Sequence, residues 1–95
     1  MSDSVNKKTK ELYQAVLKLK NQDEAVRFFR DLLTEPEIIE FNNRWRAAQM
    51  LDQGLPYSLI TKKTGLSSTT IARISKSLKT GKGGYKLIIS RMKKT

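Results

Sequence analysis

The residues of this chain best suited to chemistry lie between Lys62 and Lys79, and the chemistry they suit is recognition. Ser67, Ser68, Thr69, Thr70, Ala72, Arg73, Lys76 and Lys79 fall within a stretch that reads as one helix and its cap. Arginine and lysine can donate to guanine acceptors, hydroxyls can donate or accept, and the methyls of Ala72 and Thr69 can meet a thymine methyl. Base-edge reading is expected from the first turns, at Ser68, Thr69 and Ala72. Lys76 and Lys79, with Lys62 and Lys63 just upstream, suit phosphates, which set register and strength but carry little sequence information. For each hydroxyl the competing reading is capping or solvation. Catalysis has no comparable cluster. The chain has no His and no Cys, so the commonest general base, metal ligand and thiol nucleophile are missing. Gly81-Lys82-Gly83-Gly84 lacks both P-loop spacing and a preceding strand, and reads as a break. The chain does not read as an enzyme.

Such a surface needs elements that hold it outward, and Tyr57 to Leu78 has the pattern of a helix-turn-helix. The turn needs a residue that tolerates positive φ, and Gly65 supplies it. Ile60, Leu66, Ile71 and Ile74 stand where two short helices must interlock. Ser67 follows as an N-cap, able to accept from the amide of Thr69 or Thr70. At about 100° per residue, Ile71, Ile74 and Leu78 share the inward face of the second helix.

Charge is distributed to match. Residues 1–43 hold seven basic and eight acidic side chains, a net charge of −1. Residues 44–95 hold twelve basic and one acidic, Asp52, a net charge of +11. All the excess of the +10 chain therefore lies in the half that carries the motif, where it would recruit a polyanion and release counterions. A merely solvated surface leaves the asymmetry unexplained. Ninety-five residues suggest one small domain of modest core. The absence of cysteine fits a reducing interior, and no apolar run approaches the ~18 residues of a membrane span. MSDSVNKKTKE lacks the apolar segment of a signal peptide, so the expectation is a cytoplasmic protein with no membrane partner.

Periodicity predicts helices throughout. A first helix is expected from about Ser4 to Leu19, with Leu12, Val16 and Leu19 on one face. Asn21 with Glu24 resembles a capping box that opens a second, and Thr34 with Glu37 repeats it for a third, where Pro36 suits the first turn. The third helix would run to Gln53, with Ile38, Phe41, Trp45 and Ala48 on one stripe, and Gly54 would end it. Pro56 then opens the motif. Residues 85–95 fit either a last short helix or an extended arm. In the second helix Ala25, Val26, Phe28, Phe29, Leu32 and Leu33 cannot all face one narrow core. A core shared by two copies would bury the remainder, and a compact monomer wrapped on both sides is the alternative.

The run LTEPEIIEFNNRWRAAQMLDQGLPYSLITKKTGLSSTTIARISKSLKTGKGGYKLII closely resembles the Trp repressor-like proteins of the YerC/YecD type. Its most specific parts are Leu33-Thr34-Glu35-Pro36-Glu37, Arg44-x-Arg46, and Thr64-Gly65-Leu66-Ser67 followed by Thr70-Ile71-Ala72-Arg73. The resemblance implies an all-α, intertwined homodimer that binds operator DNA through the helix-turn-helix. It also implies a ligand position at Arg44, Arg73 and Ser77, the positions that align with groups holding L-tryptophan in the Trp repressor. There the repressor has a glycine where this chain has Ile74, whose branched side chain would fill the indole slot. L-Tryptophan is therefore not the expected cofactor, and no other effector is identified. Arg44 and Arg73 have the alternative roles of phosphate contact or ion-pair partner.

The expectation is thus an all-α, Trp repressor-like helical bundle. Residues 1–95 would form one domain, with 1–54 as N-terminal helices of a dimer core, 55–80 as helix-turn-helix, and 81–95 as glycine-rich break and tail. Its function would be sequence-specific binding of double-stranded DNA as a transcriptional regulator, a repressor. The alternatives are a non-specific nucleic-acid module, in the nucleoid or on RNA, and a protein-interaction adaptor.

Overall fold

In the computed structural model, which describes residues 6–94, six helices follow in order. They are α1 (Lys10–Val16), α2 (Gln22–Leu32), α3 (Glu35–Asp52), α4 (Tyr57–Thr64), α5 (Ser68–Thr80) and α6 (Gly84–Lys93). No strand occurs among the described residues. The chain divides within α3 into two units, Met1–Ile38 and Ile39–Thr95.

In the first unit, α1 is shorter than its periodicity predicts. Ser4 lies outside the described residues. Asn6 Oδ1 accepts from the Lys8 amide at 2.8 Å, a local turn that competes with helix and delays its start to Lys10. At the other end Lys18 N–H reaches back only to the Ala15 carbonyl and Leu19 N–H only to that of Val16, tightening the last turn. Asn21 then adopts extended backbone, accepts from the Glu24 amide at 2.9 Å, and opens α2. Glu24 reaches back to the Lys20 amide at 3.0 Å, one residue before the cap itself. The Thr34–Glu37 box forms in full. Thr34 Oγ1 accepts from the Glu37 amide, and Glu37 Oε1 accepts from the Thr34 amide at 2.8 Å and from its hydroxyl at 3.0 Å. Those two donors, the amide first, hold the Glu37 carboxyl below the ordinary glutamate range. Neither α1 nor α2 has a buried residue, and Val26 and Leu32 stay close to half exposed.

The second unit carries the core. Ala47 and Ala48 of α3, Ile60 of α4, and Leu66, Ile71 and Ile74 at and after the turn form one buried cluster. Trp45, Met50, Leu51, Leu55 and Tyr85 pack against it. Ile60 and Ile71 are fully enclosed, each contributing about 1.5–3 kcal/mol of transfer free energy. The predicted stripe on α3 is only partly inward. Ala48 is buried and Trp45 half-buried, but Phe41 remains 50% exposed. Ala47 and Ala48, in the C-terminal half of α3, are the residues of that helix that enter the buried cluster, so the core lies at that end of the helix.

The turn between α4 and α5 is built by three residues. Gly65 takes φ 76°, a left-handed conformation that costs other residues a steric clash. Thr64, buried just before it, donates its hydroxyl to the Ile60 carbonyl at 2.7 Å and accepts from the Leu66 amide at 3.2 Å. Ser67 accepts from the Thr70 amide at 3.1 Å and so caps α5. At the far end of α5, Gly81 N–H bonds the Ser77 carbonyl at 2.8 Å, and a Cβ at Gly81 would strike that oxygen. The chain then turns through Gly83 into α6, so residues 84–93 are helix and not an extended arm. Asp52, at the end of α3, accepts from Lys93 Nζ at 2.9 Å and holds the end of α6.

Candidate nucleic-acid interface

The inward face of α5 is made of Ile71, Ile74, Ser75 and Leu78. Its outward positions follow from that choice, because residues three and four apart share a face. Ser68, Thr69, Ala72 and Lys76 are exposed. Lys79 is exposed in the last turn of α5, and Lys62 in the last turn of α4.

The remaining predicted residues separate from this set. Ser67 and Thr70 are engaged with each other, the Ser67 hydroxyl donating to Thr70 Oγ1 at 3.0 Å while also capping the helix. Thr70, Arg73 and Ser77 lie along the next strip of α5 and line a cleft of about 190 Å³ with Arg44, Ile74 and Tyr85. The structure thus brings Arg44, Arg73 and Ser77 together. Ile74 forms part of the wall and is buried. Arg44 is already paired, its Nε lying 3.3 Å from Glu40 Oε2 and its guanidinium 6.0 Å from the Phe41 ring centroid. Arg73, exposed, has no ion-pair partner among the described residues. Its guanidinium can serve either the cleft or the outward face.

Sequence reasoning passed over Tyr85 and Thr64. Tyr85 comes from α6 and stacks on Trp45 of α3, with ring centroids 6.4 Å apart and an interplanar angle of 23°. Its position depended on whether the tail was helical, which periodicity over ten residues does not decide. Thr64 had a signal, a hydroxyl directly before the turn glycine, where a side chain can bridge both helices. Lys63 also differs from its neighbour: it lines a second, open cleft of about 330 Å³ with Arg46, Gln49, Met50, Gln53 and Leu55. Among the described residues no group of three or more acidic side chains is placed to share a metal ion, and no helix is long and apolar enough to cross a membrane.

This arrangement of helices can be matched to known proteins. The family model described as Trp repressor protein matches residues 7–93. The chain belongs to the Trp repressor family. Among its relatives is the Bacillus subtilis protein YerC, 37% identical over 89 residues that span 94% of this chain and 86% of YerC. Two solved structures superpose with a TM-score of 0.86. One is a TrpR-like protein from Eubacterium eligens, 39% identical and covering 92% of this chain and 90% of its own. The other is a candidate Trp repressor from Staphylococcus aureus, 37% identical over 94% of this chain and 89% of its own. The all-α, Trp repressor-like fold expected from the sequence is therefore the fold of the chain, and its family is one of helix-turn-helix regulators.

Proposed function

We propose that this Trp repressor family member is a homodimeric transcriptional regulator, a repressor, that reads operator DNA in the major groove with α5. One observation carries the reading. Ser68, Thr69, Ala72 and Lys76 face outward from a helix whose opposite side is locked against α4 through Ile60, Leu66, Ile71 and Ile74. Short polar and methyl-bearing side chains in the first turns can approach base edges, and Arg73 adds a guanidinium at the border of the same surface. Lys62, Lys63, Lys76 and Lys79 then meet phosphates, within a half of the chain that carries the whole net positive charge. The protein works where DNA is, in the cytoplasm, and has no catalytic role.

Two copies are needed to complete the molecule. The absence of any buried residue in α1 and α2, with apolar side chains such as Leu12, Val26, Leu32 and Phe41 left open, supports a core shared between protomers. A two-fold dimer sets its recognition helices one DNA turn apart, about 34 Å, and so reads a palindromic site. L-Tryptophan is not required. Ile74 already occupies the wall of the cleft between Arg44 and Arg73, and its burial contributes to the core.

Selection of bound fragments from a random duplex library, at low and near-physiological salt, tests the proposal. A two-fold symmetric site that persists at the higher salt is the expected result. Binding that fades uniformly with salt and yields no motif would make the protein a non-specific binder. Salt-insensitive association with another protein would make it an adaptor.

A further inference from the structure

The open cleft beside Lys63 has a composition that the recognition-helix reading does not use. Arg46, Gln49 and Met50 stand at relative positions 0, 3 and 4 along α3 and therefore line one face of that helix, and Gln53, in the turn just beyond its end, lines the same cleft. Leu55 and Lys63 form the facing wall. No acidic side chain lines the cleft, and Asp52, the one acid in residues 44–95, is taken by Lys93. Arg46 is half-buried and bonds only Asn43 Oδ1, at 3.4 Å, which leaves most of its donors unused. Gln49 spends one donor on the Trp45 carbonyl at 3.4 Å. Gln53 and Lys63 have no partner among the described residues.

Two cations and two amides line this cleft together with the apolar side chains of Met50 and Leu55. The volume, about 330 Å³, is on the order of ten times the ~30 Å³ that one water occupies in the liquid, so the space exceeds what a bare ion needs. The combination fits an anion that carries an apolar body, which describes a sugar-phosphate unit. The open, groove-like form of the cleft suits a strand passing through it better than an enclosed small molecule.

We propose that this cleft is a second nucleic-acid contact, in which Arg46 and Lys63 clamp one backbone phosphate, Gln53 donates to it, and Met50 and Leu55 pack against its sugar. The proposal rests on the DNA-binding reading above. It assigns Lys63 to a built site and brings α3 into the interface through Arg46. A planar guanidinium can bind a phosphate with two parallel N–H donors while the lysine adds a point charge.

The test uses the full chain and the duplex recovered by selection, with R46Q, K63Q and the double variant compared with wild type across a salt series. Because both cations hold one phosphate, the double variant is expected to lose less affinity than the product of the single losses. The salt slope of each single variant should fall by up to about 0.9, the value of one phosphate contact. K62Q, outside the cleft, should combine additively with R46Q. In parallel, inorganic phosphate and a mononucleotide are titrated against labelled protein at constant ionic strength, with the Arg46 Nε–H and Gln53 amide signals followed. Duplex should shift both signals in wild type, and should leave the Gln53 amide signal unshifted in R46Q. Unchanged affinity and slope in R46Q would overturn the clamp and leave DNA binding by α5 standing. Additive losses would show two separate phosphates and also overturn it. If no duplex binds but mononucleotide shifts the signals, the cleft belongs to a free phosphate ester, and both readings fall. Should R46Q lose its helical circular dichroism, R46K and K63Q carry the comparison, and K63Q must still show the lost slope.

Discussion

Replacing Thr64 with valine tests whether the turn is held by a hydrogen bond or by packing alone. Valine keeps the shape of threonine and exchanges the hydroxyl for a methyl. Thr64 is buried, and its Oγ1 is the acceptor for the Leu66 amide at 3.2 Å as well as a donor to the Ile60 carbonyl at 2.7 Å. Carbonyls within an α-helix keep a backbone partner, so the larger loss falls on the Leu66 N–H, left without its acceptor. A buried donor without a partner costs about 1–3 kcal/mol. Serine at the same position keeps both bonds and loses one methyl, roughly 0.8 kcal/mol of transfer free energy. T64V should therefore destabilise the protein more than T64S does. In a domain of 60–100 residues each kcal/mol moves the midpoint by roughly 4–8 °C. Thermal and urea unfolding at one fixed protein concentration would measure both, since a dimer's stability depends on concentration. T64S falling as far as T64V, or further, would refute the reasoning and make Thr64 a packing residue. Operator affinity, measured well below the midpoint, should also weaken in T64V, because Thr64 ties the angle of α5 to α4.

Other outcomes follow from the same geometry. Thr69→Ala should change which sequences are selected, while Lys76→Ala should weaken all of them alike and lower the salt slope by about 0.9; an unchanged preference would remove Thr69 from the reading set. Phe41→Asp should shift sedimentation from dimer to monomer and abolish binding to a two-fold site, and a dimer that persists would place Phe41 outside the shared core. Calorimetric titration with L-tryptophan should give no binding heat, and operator affinity should be the same with and without it. At Glu37 the folded-state pKa is lowered, so its stabilising contribution is present above the ordinary glutamate value and is lost as pH falls through the lower folded value. Exchange of the Thr34 amide should accelerate over that interval in wild type and show no such step in E37Q.

Local chemistry made much of this protein legible in advance. The caps at Asn21, Thr34 and Ser67, the turn at Gly65 and the interlocking set of Ile60, Leu66, Ile71 and Ile74 depend on neighbours within a few residues, and all formed as their patterns predict. Short-range hydrogen bonds and a 3.6-residue repeat are properties of a segment, so sequence alone determines them. Charge asymmetry is likewise a sum over residue types. Other features needed the folded chain. Asn6 shortened α1 by offering the backbone a competing turn. The buried cluster takes in Ala47 and Ala48 of α3 and leaves Phe41 open where its stripe predicted cover. Only the packing of α6 against α3 brought Tyr85 onto Trp45 and into the cleft with Arg44, Arg73 and Ser77. Only the approach of α4 to α3 turned Lys63 from a surface lysine into one wall of a groove with Arg46. Such juxtapositions join residues far apart in the chain, and the position of each depends on the packing of all the elements between them.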